Sequence, residues 1–133
     1  MDKIQRTTVK ALFQRENGEV MVAKSTRDEY WELPSGKIEF GEQPEETLRR
    51  EVGEEFAVKV FEILRPLDPF SFEVTDGNAS WNFVVVVYLC RLQNENFNIS
   101  DEHEKIKWIK PEKIHEMHMR AGYHKAIKKL LKN

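Results

Sequence analysis

The sequence predicts an α/β protein of the α+β kind, a mixed sheet with helices packed on its faces. Extended segments outnumber helical ones along the chain. One amphipathic helical pattern, opening at Pro44, separates two groups of strands. The most apolar run, residues 83–90, reads as part of a central strand buried on both faces.

The elements follow in order. Residues 7–13 are partly β-branched and apolar and predict a strand. Asn17-Gly18 tolerates positive φ and predicts a hairpin, with 20–23 as the returning strand. Trp31-Glu32-Leu33 is a short extended piece, broken by Pro34-Ser35-Gly36, and a polar loop is expected to about Gln43. Pro44 suits the first helical position because its missing N–H is not needed there. Glu45 and Glu46 follow in the first turn, where negative charge complements the helix dipole. Leu48, Val52 and Phe56 recur at four-residue spacing, so the helix should end near Phe56. Residues 58–64 and 70–74 predict strands, Asp76-Gly77-Asn78 a turn, 83–92 the central strand and 106–109 a short strand. Pro111 opens a second helix to about Met117, and a last helix over 122–131 carries Tyr123, Ile127 and Leu130 on one face.

Composition narrows the function classes. With 133 residues the chain is expected to form one domain, residues 1–133. Lys plus Arg is 21 and Asp plus Glu is 23, a net charge of −2, which gives no reason to expect a nucleic-acid or membrane-surface protein. A phosphate-bearing ligand would then need a local device such as a metal ion. Cys90 is the lone cysteine, so no intrachain disulfide can form. The first residues lack an apolar signal-peptide core, and no run approaches the roughly 20 apolar residues of a membrane helix. A cytoplasmic protein is expected.

The chemistry concentrates in residues 36–58. At about 100° per residue, Glu51, Glu54 and Glu55 share a helical sector roughly 100° wide beside the apolar stripe. Like charges at Glu51 and Glu55 cost a few tenths of a kcal/mol. Gly53 in mid-helix costs about 1 kcal/mol more. A segment that breaks local rules in this way is where function is often found. A hard divalent cation suits three carboxylates, since Mg²⁺ takes oxygen ligands and shares its remaining positions with phosphates. The alternative is a solvated acidic helix face.

The spacing Gly36, five residues, Glu42, seven residues, Arg50-Glu51-Val52-x-Glu54-Glu55 resembles the box of the Nudix hydrolase family. Six fixed positions match, which at ordinary residue usage has a chance probability of roughly one in a million. Trp31-Glu32-Leu33-Pro34 before the box is also similar to the family, and the strand–box–strand layout extends the resemblance over nearly the whole chain. Ala57 stands where the box has a glycine, and Ser35 where a glycine commonly precedes Gly36. The resemblance implies an α/β/α sandwich of a small MutT-like member and a Mg²⁺ (or Mn²⁺) cofactor. The catalytic residues would be Glu51, Glu54, Glu55 and Arg50, with Glu51 a candidate general base and Arg50 orienting a glutamate. Metal ligands would be Glu51, Glu54, Glu55 and the Ser35 carbonyl, with Gly36 and Glu42 as structural positions of the box. Family members often recruit a further acid beyond the box, for which Asp101, Glu102 and Glu104 are candidates and Glu102 is favoured.

The implied reaction is hydrolysis of a nucleoside diphosphate linked to another group, most simply a nucleoside triphosphate. Trp31, Phe72, Trp81 and Phe83 are the candidates to stack on the base. A dinucleoside-polyphosphate or ADP-sugar pyrophosphatase, a non-nucleotide diphosphatase and a catalytically silent nucleotide-binding module are the alternatives. Pro66 and Pro69 lie too near the box, and Tyr88 too far from it, to mark the ADP-sugar or diadenosine types. A nucleotide is the expected partner, neither a membrane nor nucleic acid is expected, and a homodimer is an open option because many relatives dimerise.

Overall fold

The computed structural model describes residues 2–25, 28–56, 60–92 and 103–131. Among the described residues, eight strands form two sheets. They are β1 (Asp2–Phe13), β2 (Val20–Ser25), β3 (Trp31–Glu32), β4 (Ser35–Lys37), β5 (Phe61–Pro66), β6 (Phe70–Asp76), β7 (Ala79–Leu92) and β8 (His103–Ile109). The α-helices are α1 (Pro44–Phe56) and α2 (Ala121–Lys128). One sheet runs β4-β1-β7-β5, with β6 also paired to β7, and the other runs β3-β2-β8.

The long central strand organises the larger sheet. β1 lies parallel to β7 from Asp2↔Ala79 to Phe13↔Cys90. On the other edge of β7, β6 pairs antiparallel with Ala79–Val85 and β5 with Tyr88–Leu92. The mixed sheet is therefore present as expected. The ladder also lengthens two strands past the sequence reading. β1 begins at Asp2 and β7 at Ala79, because their polar ends pair with one another and propensity yields to the partner.

Alternation assigns the two faces of this sheet. Val9, Ala11, Phe13 and Cys90 pack beneath Leu48, Val52 and Phe56 of α1, so the predicted helical stripe is the buried one. On the opposite face Leu12, Val85, Val87 and Leu89 pack with Tyr123 and Ile127 of α2. A helix on each side of the sheet gives the α/β/α sandwich. Cys90 is buried, and desolvation pushes its thiol up to about 12, so it serves as a small hydrophobe.

Four local expectations are corrected. Gly18 does turn the chain, at φ 92°, and its flanks meet through the Arg15 N–H to Glu19 carbonyl bond at 2.9 Å and the bridge Gln14↔Val20, but the ladder goes no further. The turn hands the chain from one sheet to the other instead of closing a two-stranded hairpin. Residues 35–37, expected in a polar loop, form β4 against Thr8–Lys10 of β1. The segment after Pro111 is a 3₁₀ helix over Pro111–Glu116, and α2 tightens to 3₁₀ over Lys129–Leu131. Only part of β7 is buried on both faces, since Val84, Val86 and Tyr88 are half-buried. Ala57 and Val58 lie outside the described residues.

Candidate active site

The box folds as a strand, a loop and a helix locked together by Glu42. Gly41 turns the loop at φ 83°, and Glu46 accepts the Gln43 N–H at 3.1 Å at the start of α1. The Glu42 carboxylate accepts four hydrogen bonds. Arg50 Nε and Nη2 donate at 2.9 and 3.0 Å, the Thr47 hydroxyl at 2.6 Å and the Glu39 N–H at 3.1 Å. Led by the Arg50 pair, these bonds lower the Glu42 pKa from its ordinary 4.5 to about 2. The contribution of Glu42 to stability is thus whole above about pH 4.5 and lost as pH falls toward 2. We expect the urea midpoint of Glu42→Gln to fall less steeply than wild type between pH 5 and 3. Parallel curves would contradict this role.

Arg50 also reaches the catalytic candidates. Its Nη1 donates to Glu51 Oε1 at 2.6 Å, so one guanidinium holds both Glu42 and Glu51. Both acids hold its pKa well above the ordinary arginine value. Glu55 accepts the Ser35 N–H at 3.3 Å, tying α1 to β4. Gly36 stands where α1 meets this strand. A Cβ there would lie 2.2 Å from Glu51 Cγ and 2.7 Å from Glu51 Cβ, so only glycine allows the approach.

Glu51, Glu54 and Glu55 line one cleft of about 640 Å³, together with Ser35, Gly36, Lys10, Phe72, Phe83 and Tyr123. An adjoining recess of about 440 Å³ adds Tyr30, Trp31, Glu32 and Arg120 and shares Lys10, Phe72, Phe83 and Tyr123 with the cleft. The two spaces meet along a common wall. Phe72 pairs directly opposite Phe83 in the β6–β7 ladder, with ring centroids 5.3 Å apart. Arg120 lies over Phe72 at 4.3 Å and over Tyr30 at 4.6 Å.

Of the four aromatic candidates, Trp31, Phe72 and Phe83 line this space. Trp81 does not. It lies two residues before Phe83 on the same strand face, stacks on that ring at 6.0 Å and lines a separate depression with Lys3 and Asn82. Asp101 and Glu102 lie outside the described residues, as does the side chain of Glu104.

Among the described residues, no three acidic, histidine or cysteine side chains converge into a preassembled metal site. Instead Glu51 bonds to Arg50 and Glu55 to Ser35. That is the arrangement expected of carboxylates which repel one another and take nearby donors. The donor chemistry still fits a hard divalent cation, because every candidate ligand on this cleft wall is an oxygen. Glu51, Glu54, Glu55 and the Ser35 carbonyl are the residues that would hold it.

Sequence reasoning missed Lys10, Arg120 and the role of Tyr123. Lys10 is 9% exposed on the cleft floor. Burial works against its ammonium, but Tyr123, to which it hydrogen-bonds, and the Glu32 and Glu55 carboxylates outweigh this and raise its pKa. The signal was present in the alternation Thr8, Lys10, Leu12, which puts a lysine on a core-facing register.

The chain belongs to the NUDIX domain family, which it matches over residues 4–131. Taken with its nucleoside triphosphatase relatives, that membership identifies it as a Nudix pyrophosphohydrolase. It is 27% identical to the nucleoside triphosphatase NudI of Escherichia fergusonii, with 92% of this chain and 94% of that protein covered. The NudI of Salmonella schwarzengrund is 31% identical, over 76% of this chain and 77% of that protein. The crystal structure of a MutT protein from Methanosarcina mazei Go1 superposes with a TM-score of 0.84 at 24% identity, covering 97% of this chain and 94% of that one. No described helix is long and apolar enough to cross a membrane.

Proposed function

We propose that the protein hydrolyses a pyrophosphate bond of nucleoside triphosphates with Mg²⁺ or Mn²⁺ as cofactor. The observation that carries this reading is the continuity of the cleft. Carboxylates of α1 line one part and an aromatic-walled recess the other, with a shared wall between them. A polyphosphate and a ring joined through a sugar match that division. The similarity to NudI nucleoside triphosphatases supports the triphosphate in particular.

A bound divalent cation would supply charge neutralisation at the phosphates and so let an acidic cleft accept a polyanion. The residues of the chain do the rest. Glu51 and Glu54 border the space where water would attack a phosphorus, and either carboxylate can accept the proton that water gives up. Arg50 holds Glu51 in place and is itself held by Glu42. Glu55, bonded to the Ser35 N–H, fixes the helix against β4. Attack breaks the phosphorus bond to the bridging oxygen, which leaves on a phosphate group. Phe72, Phe83 and Trp31 provide the apolar wall for the base.

The test is phosphate release with Mg²⁺ over a panel of ribo- and deoxyribonucleoside triphosphates, dinucleoside polyphosphates, ADP-sugars and non-nucleotide diphosphates. The expected result is kcat/KM highest for a nucleoside triphosphate. Preference for another class would move the substrate assignment. Tight nucleotide binding without turnover at any pH would indicate a silent binding module.

A further inference from the structure

We infer that Lys10 is a substrate-binding residue whose ammonium contacts the phosphate nearest the sugar, so that the nucleotide lies with its base in the aromatic recess and its outer phosphates toward α1. This rests on the reading of the substrate as a nucleotide.

Lys10 is the one buried charged residue among the described residues. Burying an ammonium is expensive, and an apolar side chain of similar volume usually serves a core as well or better. Packing alone therefore does not account for the lysine. Its register places it at the middle of the sheet, between Ser35 of β4 and Val87 of β7. Thr8, one step along the same face, continues the floor of the cleft. Lys10 borders both the acidic cleft and the aromatic recess. In a nucleotide, the group between the ring-bearing sugar and the outer phosphates is the first phosphate. A cation at the junction meets that group when the ends occupy the two spaces.

The partners of Lys10 fit the same role. Its Nζ lies 5.8 Å from the Tyr123 ring centroid, and the ammonium donates a hydrogen bond to the Tyr123 hydroxyl oxygen. Glu32 and Glu55 are the carboxylates that act on it, from β3 and α1. These groups hold the ammonium charged and in position before substrate arrives, which reduces the ordering that binding would otherwise require. The competing role is that of a counter-ion which only balances Glu32 and Glu55.

The experiment compares wild type, Lys10→Met and Lys10→Arg. Calorimetry in EDTA measures binding of AMP, CMP, GMP and UMP and of the matching nucleosides. In wild type the preferred monophosphate should bind at least tenfold tighter than its nucleoside. Lys10→Met should erase that difference, and Lys10→Arg should restore most of it. With Mg²⁺ and the preferred triphosphate, Lys10→Met should raise KM at least tenfold with a smaller change in kcat, the mark of lost ground-state binding. Its Mn²⁺ affinity without nucleotide should not weaken.

Equal binding of nucleoside and monophosphate by wild type overturns the proposal, even if the methionine variant fails to fold. So does a folded Lys10→Met that keeps the wild-type preference for the monophosphate, which would identify the counter-ion role. Because the binding arm needs neither metal nor turnover, a failure of wild type to hydrolyse any triphosphate would count against the proposed activity alone.

Discussion

Glu54→Gln and Glu55→Gln should each lower kcat by about 10²–10⁴-fold at saturating Mg²⁺ and nucleoside triphosphate, the range expected when a proton-transfer or charge-stabilising group is removed. Glutamine keeps the shape of glutamate and removes its charge. Glu54 is exposed on α1, so its replacement disturbs no core packing. At Glu55 the amide oxygen can still accept the Ser35 N–H that the carboxylate accepts at 3.3 Å. Both variants should therefore fold as wild type does. In Glu55→Gln the relief of Glu51–Glu55 repulsion, a few tenths of a kcal/mol, is opposed by the loss of one of the two carboxylates that hold the buried Lys10 ammonium, so Glu55→Gln should be the less stable of the two variants. Steady-state kinetics with thermal melts checks both halves of this expectation. Wild-type turnover in both variants would remove the α1 carboxylates from the mechanism.

Gly36→Ala should harm fold and activity together. The added methyl would sit 2.2 Å from Glu51 Cγ, 2.7 Å from Glu51 Cβ and 3.1 Å from Thr47 Cγ2. Glu51 Cγ could rotate away, but Cβ moves only with the helix backbone. Either α1 lifts from β4 or β4 parts from β1. Overpacking of this kind costs about 1–3 kcal/mol, so the melting temperature should drop by several degrees. A shift of Glu51 by even about 1 Å would cost on the order of 10²-fold in rate. Thr47, which holds Glu42 through its hydroxyl at 2.6 Å, would be pressed as well. A variant with wild-type melting and kcat/KM would show that the helix does not approach the strand so closely.

The legible parts of the molecule were those whose cause is local. Pro44 at the helix start and the Leu48, Val52, Phe56 stripe predict α1 over the range the structure shows. The box acids are recognisable because their spacing lies within one loop and one helix. What escaped depends on distant partners. Ser35-Gly36-Lys37 has no strand propensity, and it is extended because Thr8–Lys10 offers an edge. The polar ends of β1 and β7 are strands because each pairs with the other across most of the chain. The Asn17-Gly18 turn was visible, but the separation of its flanks into two sheets was not.

The same division holds for the site. Phe72 and Phe83 reach the cleft because β6 and β7 pair them face to face. Trp81 shares their character and their face, yet it lies one strand repeat too far along to reach the space. Lys10 comes from β1 and Arg120 and Tyr123 from the start of α2, and only the tertiary fold gathers them around one recess.

The central claim is that the glutamates of α1 hold a divalent cation. Anomalous diffraction from crystals soaked in Mn²⁺ tests it most directly. A manganese peak bounded by oxygens of Glu51, Glu54 and Glu55, and missing from a Glu54→Gln/Glu55→Gln crystal soaked in the same way, is the result expected. Wild-type crystals with these side chains turned apart and no manganese among them would contradict the account.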